Sequence, residues 1–117
     1  MNMQLAKGVR DIAPEEKIVK NQVITSLQKI FELYGFMPLE TPIIERYETL
    51  AAKGGAEEGS DCLKETFQLT DQGKRQLGLR FELTTSLARY VAMNPTLKLP
   101  FKRYEMGQVF RDGPIKL

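Results

Sequence analysis

A chain of 117 residues, 42% hydrophobic and 27% charged, has the make-up of one ordinary globular domain. It shows neither the roughly 18 consecutive apolar residues of a membrane span nor, in its opening MNMQLAKGVRD, the apolar core of a secretory signal. Histidine is absent and Cys62 is the lone cysteine, which excludes histidine bases, an internal disulfide and the usual zinc ligand sets, while a net charge of +2 hides a balance of −4 over residues 1–71 (8 Lys+Arg, 12 Asp+Glu) and +6 over residues 72–117 (9 and 3).

Residues 1–13 read as an extended arm carrying Lys7 and Arg10. A helix is predicted over about 14–34: Pro14 suits its first turn, Glu15 and Glu16 suit the positive end of its dipole, and Val19, Val23, Leu27, Ile30 and Tyr34 recur along one face. Gly35 is placed to end it. In FMPLETPIIERY (36–47), Pro38 and Pro42 bar both a helix interior and a central strand, so an edge or bent strand is expected. ETLAAKGG then predicts a short helix closed by glycine, and AEEGSD (56–61) a polar loop. Cys62 reads as a small, partly buried thiol rather than a reactive one.

From Glu65 the period becomes two. ETFQLTD and LGLRFEL predict a hairpin over about 64–83, turning through QGKRQ at Gly73. Leu77, Leu79, Phe81 and Leu83 share one face of the second strand, with Gly78, Arg80 and Glu82 on the other. TTSLARYVAMN predicts a helix over about 84–94, capped by Thr84 or Thr85 and closed before Pro95. LPFKRYEMGQVFRD predicts a long strand over about 100–113, with Arg103, Glu105, Gly107, Val109 and Arg111 on one side. The expected class is α+β, an antiparallel β-sheet flanked by helices.

On such a sheet Arg80, Glu82, Arg103, Glu105 and Arg111 would fall on one face, with Gly78 and Gly107 among them. Glycine inside a strand often marks room for a ligand; the alternative is a solvated face laced with salt bridges. The basic last third fits an anionic partner, a phosphate-bearing ligand or a nucleic acid, or else a solvated charge bias.

The segments LRFELT (79–84) and GQVFR (107–111) resemble those of a class II aminoacyl-tRNA synthetase, histidyl-tRNA synthetase of the archaeal and eukaryotic-like kind. KGVRDIAPEE resembles that family's arm and first helix; YGFMPLETPIIERYETL (34–50) is similar to motif 1, and KRYEMGQVFRDGP to the first strand and turn of motif 2. The resemblance implies histidine activation by ATP and transfer to tRNA(His) in a cytoplasmic homodimer, with no membrane or DNA partner. It implies Arg111 as the catalytic group that grips the α-phosphate of ATP and the histidine carboxylate, a task suited to a planar fork that never deprotonates. Glu82 and Thr84, with Leu83 between them, would bind the histidine α-amino group; Thr84 as a helix cap and Glu82 as a plain surface carboxylate are the competing readings. Tyr34, Pro38, Pro42 and Ile43 become candidates for the dimer interface, Pro38 and Pro42 doubling as edge-strand breakers. Lys7 and Arg10 are candidates to touch tRNA, a solvated arm being the alternative. ATP enters as substrate; Mg2+ is expected in a full enzyme, with no metal ligand in this chain.

The sequence departs from the family by stopping at Leu117. The returning strand of motif 2, the imidazole-reading segments, motif 3 and the anticodon-binding domain have no counterpart, so a segment of this extent is expected to be inactive alone. Two other classes share the pattern: a non-catalytic paralogue such as the regulatory subunit of ATP phosphoribosyltransferase, and a dimeric interaction module.

Overall fold

A computed structural model of the chain describes residues 1–54 and 61–114. Residues 56–60 of the polar loop expected at 56–61, and the side chain of Cys62, lie outside the described residues. The described chain forms two compact units, Met1–Met37 and Pro38–Pro114.

The first unit is the arm and α1 (Pro14–Leu33). Its start follows the sequence closely: Pro14 occupies the first turn, where its missing N–H costs nothing. Arg10 forks onto Glu16, Nη1 and Nη2 donating to the two carboxylate oxygens at 2.9 and 2.7 Å. That pairing holds the exposed Glu16 carboxyl below its usual range and raises Arg10. The end is a glycine stop: Gly35 has φ 84°, Phe36 N–H returns to Phe31 O and Gly35 N–H to Glu32 O, both at 3.0 Å. The Phe31 and Phe36 rings meet edge-on at 6.3 Å across this cap. The apolar face of α1 is exposed along its length, and the helix has no buried residue.

In the second unit, β2 (Ile44–Arg46), β3 (Gln68–Thr70) and β4 (Gln76–Leu79) make an antiparallel sheet of order β2-β4-β3. Register runs Glu45 opposite Gly78 on one side and Gln68 opposite Gly78 on the other. The bent strand predicted at 36–47 is thus two short ones. β1 (Met37–Pro38) ends where Leu39 N–H donates to Tyr104 O (3.0 Å) in a two-stranded pairing with β5 (Arg103–Tyr104), and the chain passes Pro42 before β2. Three helices complete the unit among the described residues, α2 (Tyr47–Gly54), α3 (Asp61–Lys64) and α4 (Thr84–Met93); α3 begins inside the stretch read as loop.

The β3–β4 turn spans Asp71 to Lys74, closed by Lys74 N–H to Asp71 O (3.0 Å) and Asp71 N–H to Arg75 O (3.2 Å). The Asp71 carboxylate also accepts from Arg75 N–H (2.9 Å) and Nε (2.7 Å), which holds its pKa down. The left-handed residue is Lys74 (φ 65°), not Gly73. A side chain there costs roughly 1 kcal/mol, so Lys74→Gly should raise stability by up to about 1 kcal/mol, read as a shifted urea midpoint. A lower midpoint would show that the turn does not strain this residue.

The sense of the sheet differs from the sequence reading. The face read as polar is the covered one: Gly78 and Arg80 are buried, whereas Leu77 and Leu79 are half-exposed. A Cβ at Gly78 would stand 2.7 Å from Leu50 Cδ1 and 3.1 Å from Phe67 O, so this glycine admits α2 rather than a ligand. The buried set is mainly polar, Thr41, Glu45, Thr66, Arg80 and Ser86 with Tyr104. Such groups stay inside only when hydrogen-bonded, and two carboxylate–arginine clusters satisfy Thr41, Glu45, Arg80 and Ser86.

In the first, Glu45 on β2 accepts from Ser86 Oγ (3.1 Å) and Arg89 Nε (3.0 Å) of α4, tying helix to sheet. In the second, Glu105 accepts from Thr41 N–H (2.7 Å) and Thr41 Oγ1 (2.8 Å) and pairs with Arg80 Nη1 at 3.5 Å; the two charged side chains are 1% and 4% exposed. The predicted long strand therefore stops early. Regular pairing ends at Tyr104, and beyond it Phe110 N–H donates to Arg80 O (2.9 Å) and Asp112 N–H to Glu65 O (2.6 Å) along an irregular path. Along this path the Arg80 guanidinium lies against Gly107 and donates to Gln108 O at 2.6 Å.

Candidate active site

The second hairpin strand leaves the ladder after Leu79, and residues 81–83 bend into α4. Leu83 holds the N-cap position, and the cap itself is Glu82. Its carboxylate accepts from Thr84 N–H, from Thr85 N–H (3.1 Å) and from the Thr85 hydroxyl. The cap expected of Thr84 or Thr85 is thus supplied by Glu82, two residues before Thr84, meeting the open amides and positive end of the helix. Thr84 is exposed, its side chain free of capping, and with Thr85 it lines a cleft of about 740 Å³ whose other wall is α2 at Glu48, Thr49 and Ala52.

Arg111 reaches the same bend. Its Nε donates to Phe81 O at 3.3 Å, and the guanidinium lies over the Phe81 ring, 4.3 Å from the centroid. Arg111 is exposed, so its charge faces solvent on one side and an aromatic ring on the other. Arg103 approaches the bend from β5, with Nη2 3.5 Å from Leu83 O and a buried Nε that has no partner among the described residues. Arg111 is therefore brought, through Phe81, to the bend that Glu82, Leu83 and Thr84 form. Arg80 and Glu105, grouped with them by alternation, instead pair in the interior. Gly107, read as room for a ligand, is occupied: a Cβ there would stand 2.2 Å from Arg80 Nη2.

The interface candidates Tyr34, Pro38, Pro42 and Ile43 are all exposed. Of the arm candidates, Arg10 is engaged by Glu16. Among the described residues no group of three or more His, Cys, Asp or Glu side chains could hold a metal ion. The residues missed from sequence are Thr41, Glu45, Ser86 and Arg89. Only Glu45, a charge within the apolar run PIIER, carried a hint of burial.

Comparison with solved structures sets this arrangement in a known class. Histidyl-tRNA synthetase from Nostoc sp. PCC 7120 superimposes with a TM-score of 0.79 at 33% identity, over 94% of this chain and 25% of that one. A Bacillus halodurans protein described as an ATP phosphoribosyltransferase regulatory subunit/histidyl-tRNA synthetase gives 0.77 at 28%, over 92% and 27%. The fold is that of the N-terminal portion of the class II aminoacyl-tRNA synthetase catalytic domain.

In sequence, histidine–tRNA ligase 1 of Bacillus cereus is 52% identical over 116 residues, 99% of this chain. The profile of the histidyl-tRNA synthetase family matches residues 8–117, and the chain belongs to that family. It spans 27% of the length of the Bacillus cereus relative.

Proposed function

We propose that this chain forms part of a histidine–tRNA ligase, which activates histidine with ATP to histidyl-adenylate and passes it to tRNA(His). Family membership supports the reaction class. The observation that supports the site is the seating of Arg111 on Phe81, the residue next to Glu82, by a hydrogen bond to Phe81 O and by its ring face.

Arg111 then binds the α-phosphate of ATP and the histidine carboxylate. Its stacking on Phe81 fixes the plane of the fork, and an always-charged bidentate donor stabilises charge that develops as carboxylate oxygen attacks the α-phosphorus and the bond to the β-phosphate breaks, releasing pyrophosphate. Glu82 offers the histidine ammonium a carboxylate already oriented by two amides, and Thr84 adds a hydroxyl acceptor beside Leu83. ATP is a substrate here. Mg2+ would accompany it, but Glu45 and Glu105 are committed to arginines and Glu82 to the helix cap, so no metal ligand is assigned to this chain. Residues Tyr34 to Tyr47 are the proposed homodimer contacts, Tyr34, Pro38, Pro42 and Ile43 among them each being exposed. A cytoplasmic setting accords with the chemistry, and no helix among the described residues is long and apolar enough to cross a membrane.

A binding-only paralogue is the second reading, favoured by the Bacillus halodurans neighbour whose description names a regulatory subunit. Histidine-dependent ATP–pyrophosphate exchange by the full-length protein separates the two. Within that assay Glu82→Gln keeps an oxygen for the α4 amides but removes the charge facing the ammonium. A lost charge-assisted bond of about 1.5–3 kcal/mol should raise the histidine KM roughly 10- to 100-fold. Glu82→Ala should also lose about 1 kcal/mol of stability through the cap. An unchanged KM in Glu82→Gln would leave Glu82 as a helix cap and nothing more.

A further inference from the structure

Arg80 is 3% exposed, deep for a residue at the end of a short strand. Both its backbone and its side chain hold the segment that leads to Arg111. Its carbonyl accepts Phe110 N–H at 2.9 Å. Its Nε donates to Gln108 O at 2.6 Å. Nη1 donates to Thr41 O at 3.0 Å and faces Glu105 Oε2 at 3.5 Å. The next residue, Phe81, is the one on which the Arg111 guanidinium rests. Residues 108, 110 and 111 are thus each tied to residues 80–81, although regular strand pairing has already ended at Tyr104.

The side chain that does this has no freedom to do otherwise. Glu105 anchors it from below and is itself held by Thr41 N–H and Oγ1. Gly107 leaves it a slot that a Cβ would close, at 2.2 Å from Nη2. A guanidinium suits this place because its donors leave in fixed directions from one plane, so one group bonds Gln108 O and Thr41 O while facing Glu105. Ammonium on a flexible stem cannot meet all three.

Resting on the proposed role of Arg111, we infer that Arg80 is a positioning residue for the adenylation step: it sets the path of residues 107–110 and so the placement of the Arg111 guanidinium. It touches no substrate. A displacement of about 1 Å in a catalytic group can cost on the order of 100-fold in rate, so a buried clamp two hydrogen bonds wide is a direct lever on kcat.

The test is histidine-dependent ATP–pyrophosphate exchange by the full-length protein carrying Arg80→Lys, Gly107→Ala or both, with thermal unfolding measured alongside. Arg80→Lys keeps the charge opposite Glu105 and loses the simultaneous reach to Gln108 and Thr41. It should lower kcat at least tenfold with the histidine KM within about twofold. Gly107→Ala leaves Arg80 in the chain but pushes it from its slot, and should lower kcat to a similar degree; it carries the test should Arg80→Lys fail to fold. The double variant should be no worse than the poorer single one, since both break the same clamp. Gly78→Ala serves as a control for stability, because the atoms nearest its Cβ would be Leu50 Cδ1 at 2.7 Å, Phe67 O and Thr66 Cγ2, none of them in the clamp. It should lower the unfolding temperature with kcat kept within twofold. Retention of kcat in Arg80→Lys and Gly107→Ala would overturn the inference, as would losses that merely follow unfolding temperature as Gly78→Ala does. Arg111→Ala separates the layers: if it abolishes exchange while Arg80→Lys does not, only the Arg80 inference fails. If Arg111→Ala retains exchange, the role of Arg111 fails and the inference falls with it.

Discussion

Replacing Glu105 by alanine should cost roughly 3–5 kcal/mol of folding stability, because it strands the Arg80 charge in the interior. Arg80 is 3% exposed and can neither reach water nor deprotonate. The same change removes the acceptor of Thr41 N–H and Oγ1, two more buried donors. Against a typical domain stability of about 5–15 kcal/mol, the second unit would be close to unfolding. The exposed pair Arg46–Glu48 provides the contrast. Both side chains are more than two-thirds exposed, and breaking it should cost no more than about 1 kcal/mol. Urea unfolding of Glu105→Ala and Glu48→Ala side by side checks this; equal losses would mean that the Arg80–Glu105 pair is not a buried one.

Arg111→Ala should behave in the opposite way, with little effect on stability and a large one on chemistry. Arg111 is exposed, and its contacts are one carbonyl and one ring face, so removal should change stability by about 1 kcal/mol or less. If it stabilises charge on the α-phosphate, its loss should slow histidine-dependent exchange by roughly 100- to 1,000-fold. Arg111→Lys should recover part of this and no more, since a point charge lacks the two-pronged geometry. Near-normal exchange by a well-folded Arg111→Ala protein would remove the residue from the catalytic role.

The sequence made some of this legible and concealed the rest for definable reasons. The ends of α1 could be read because Pro14 and Gly35 act locally: one needs no N–H partner, the other alone takes φ 84° at no cost. The bend at Pro38 and Pro42 was visible for the same reason, and so was the β3–β4 hairpin, though not that Lys74 takes its left-handed position. The sense of burial was not visible. Alternation along β4 shows which residues share a face, and nothing in it says that the face carrying Arg80 is the covered one. The partners that make its burial tolerable lie 39 residues upstream at Thr41 and 25 downstream at Glu105. No local pattern links them.

The irregular path beyond Tyr104 is tied to the same hidden fact. GQVFR alternates like a strand, yet the Arg80 side chain occupies the slot at Gly107 and bonds Gln108 O. The candidate residues themselves came from the resemblance to a synthetase. What the structure adds is how the bend at 81–84 draws them together: Glu82 turns to the α4 amides and Arg111 lies on Phe81.

One assay bears most directly on the proposed function. Full-length protein is supplied with ATP, labelled pyrophosphate and each amino acid in turn, and the return of label to ATP is followed. Exchange with histidine and with no other amino acid is the expected result. Absence of exchange with histidine, from protein that is folded and binds ATP, would contradict it and leave a binding-only paralogue.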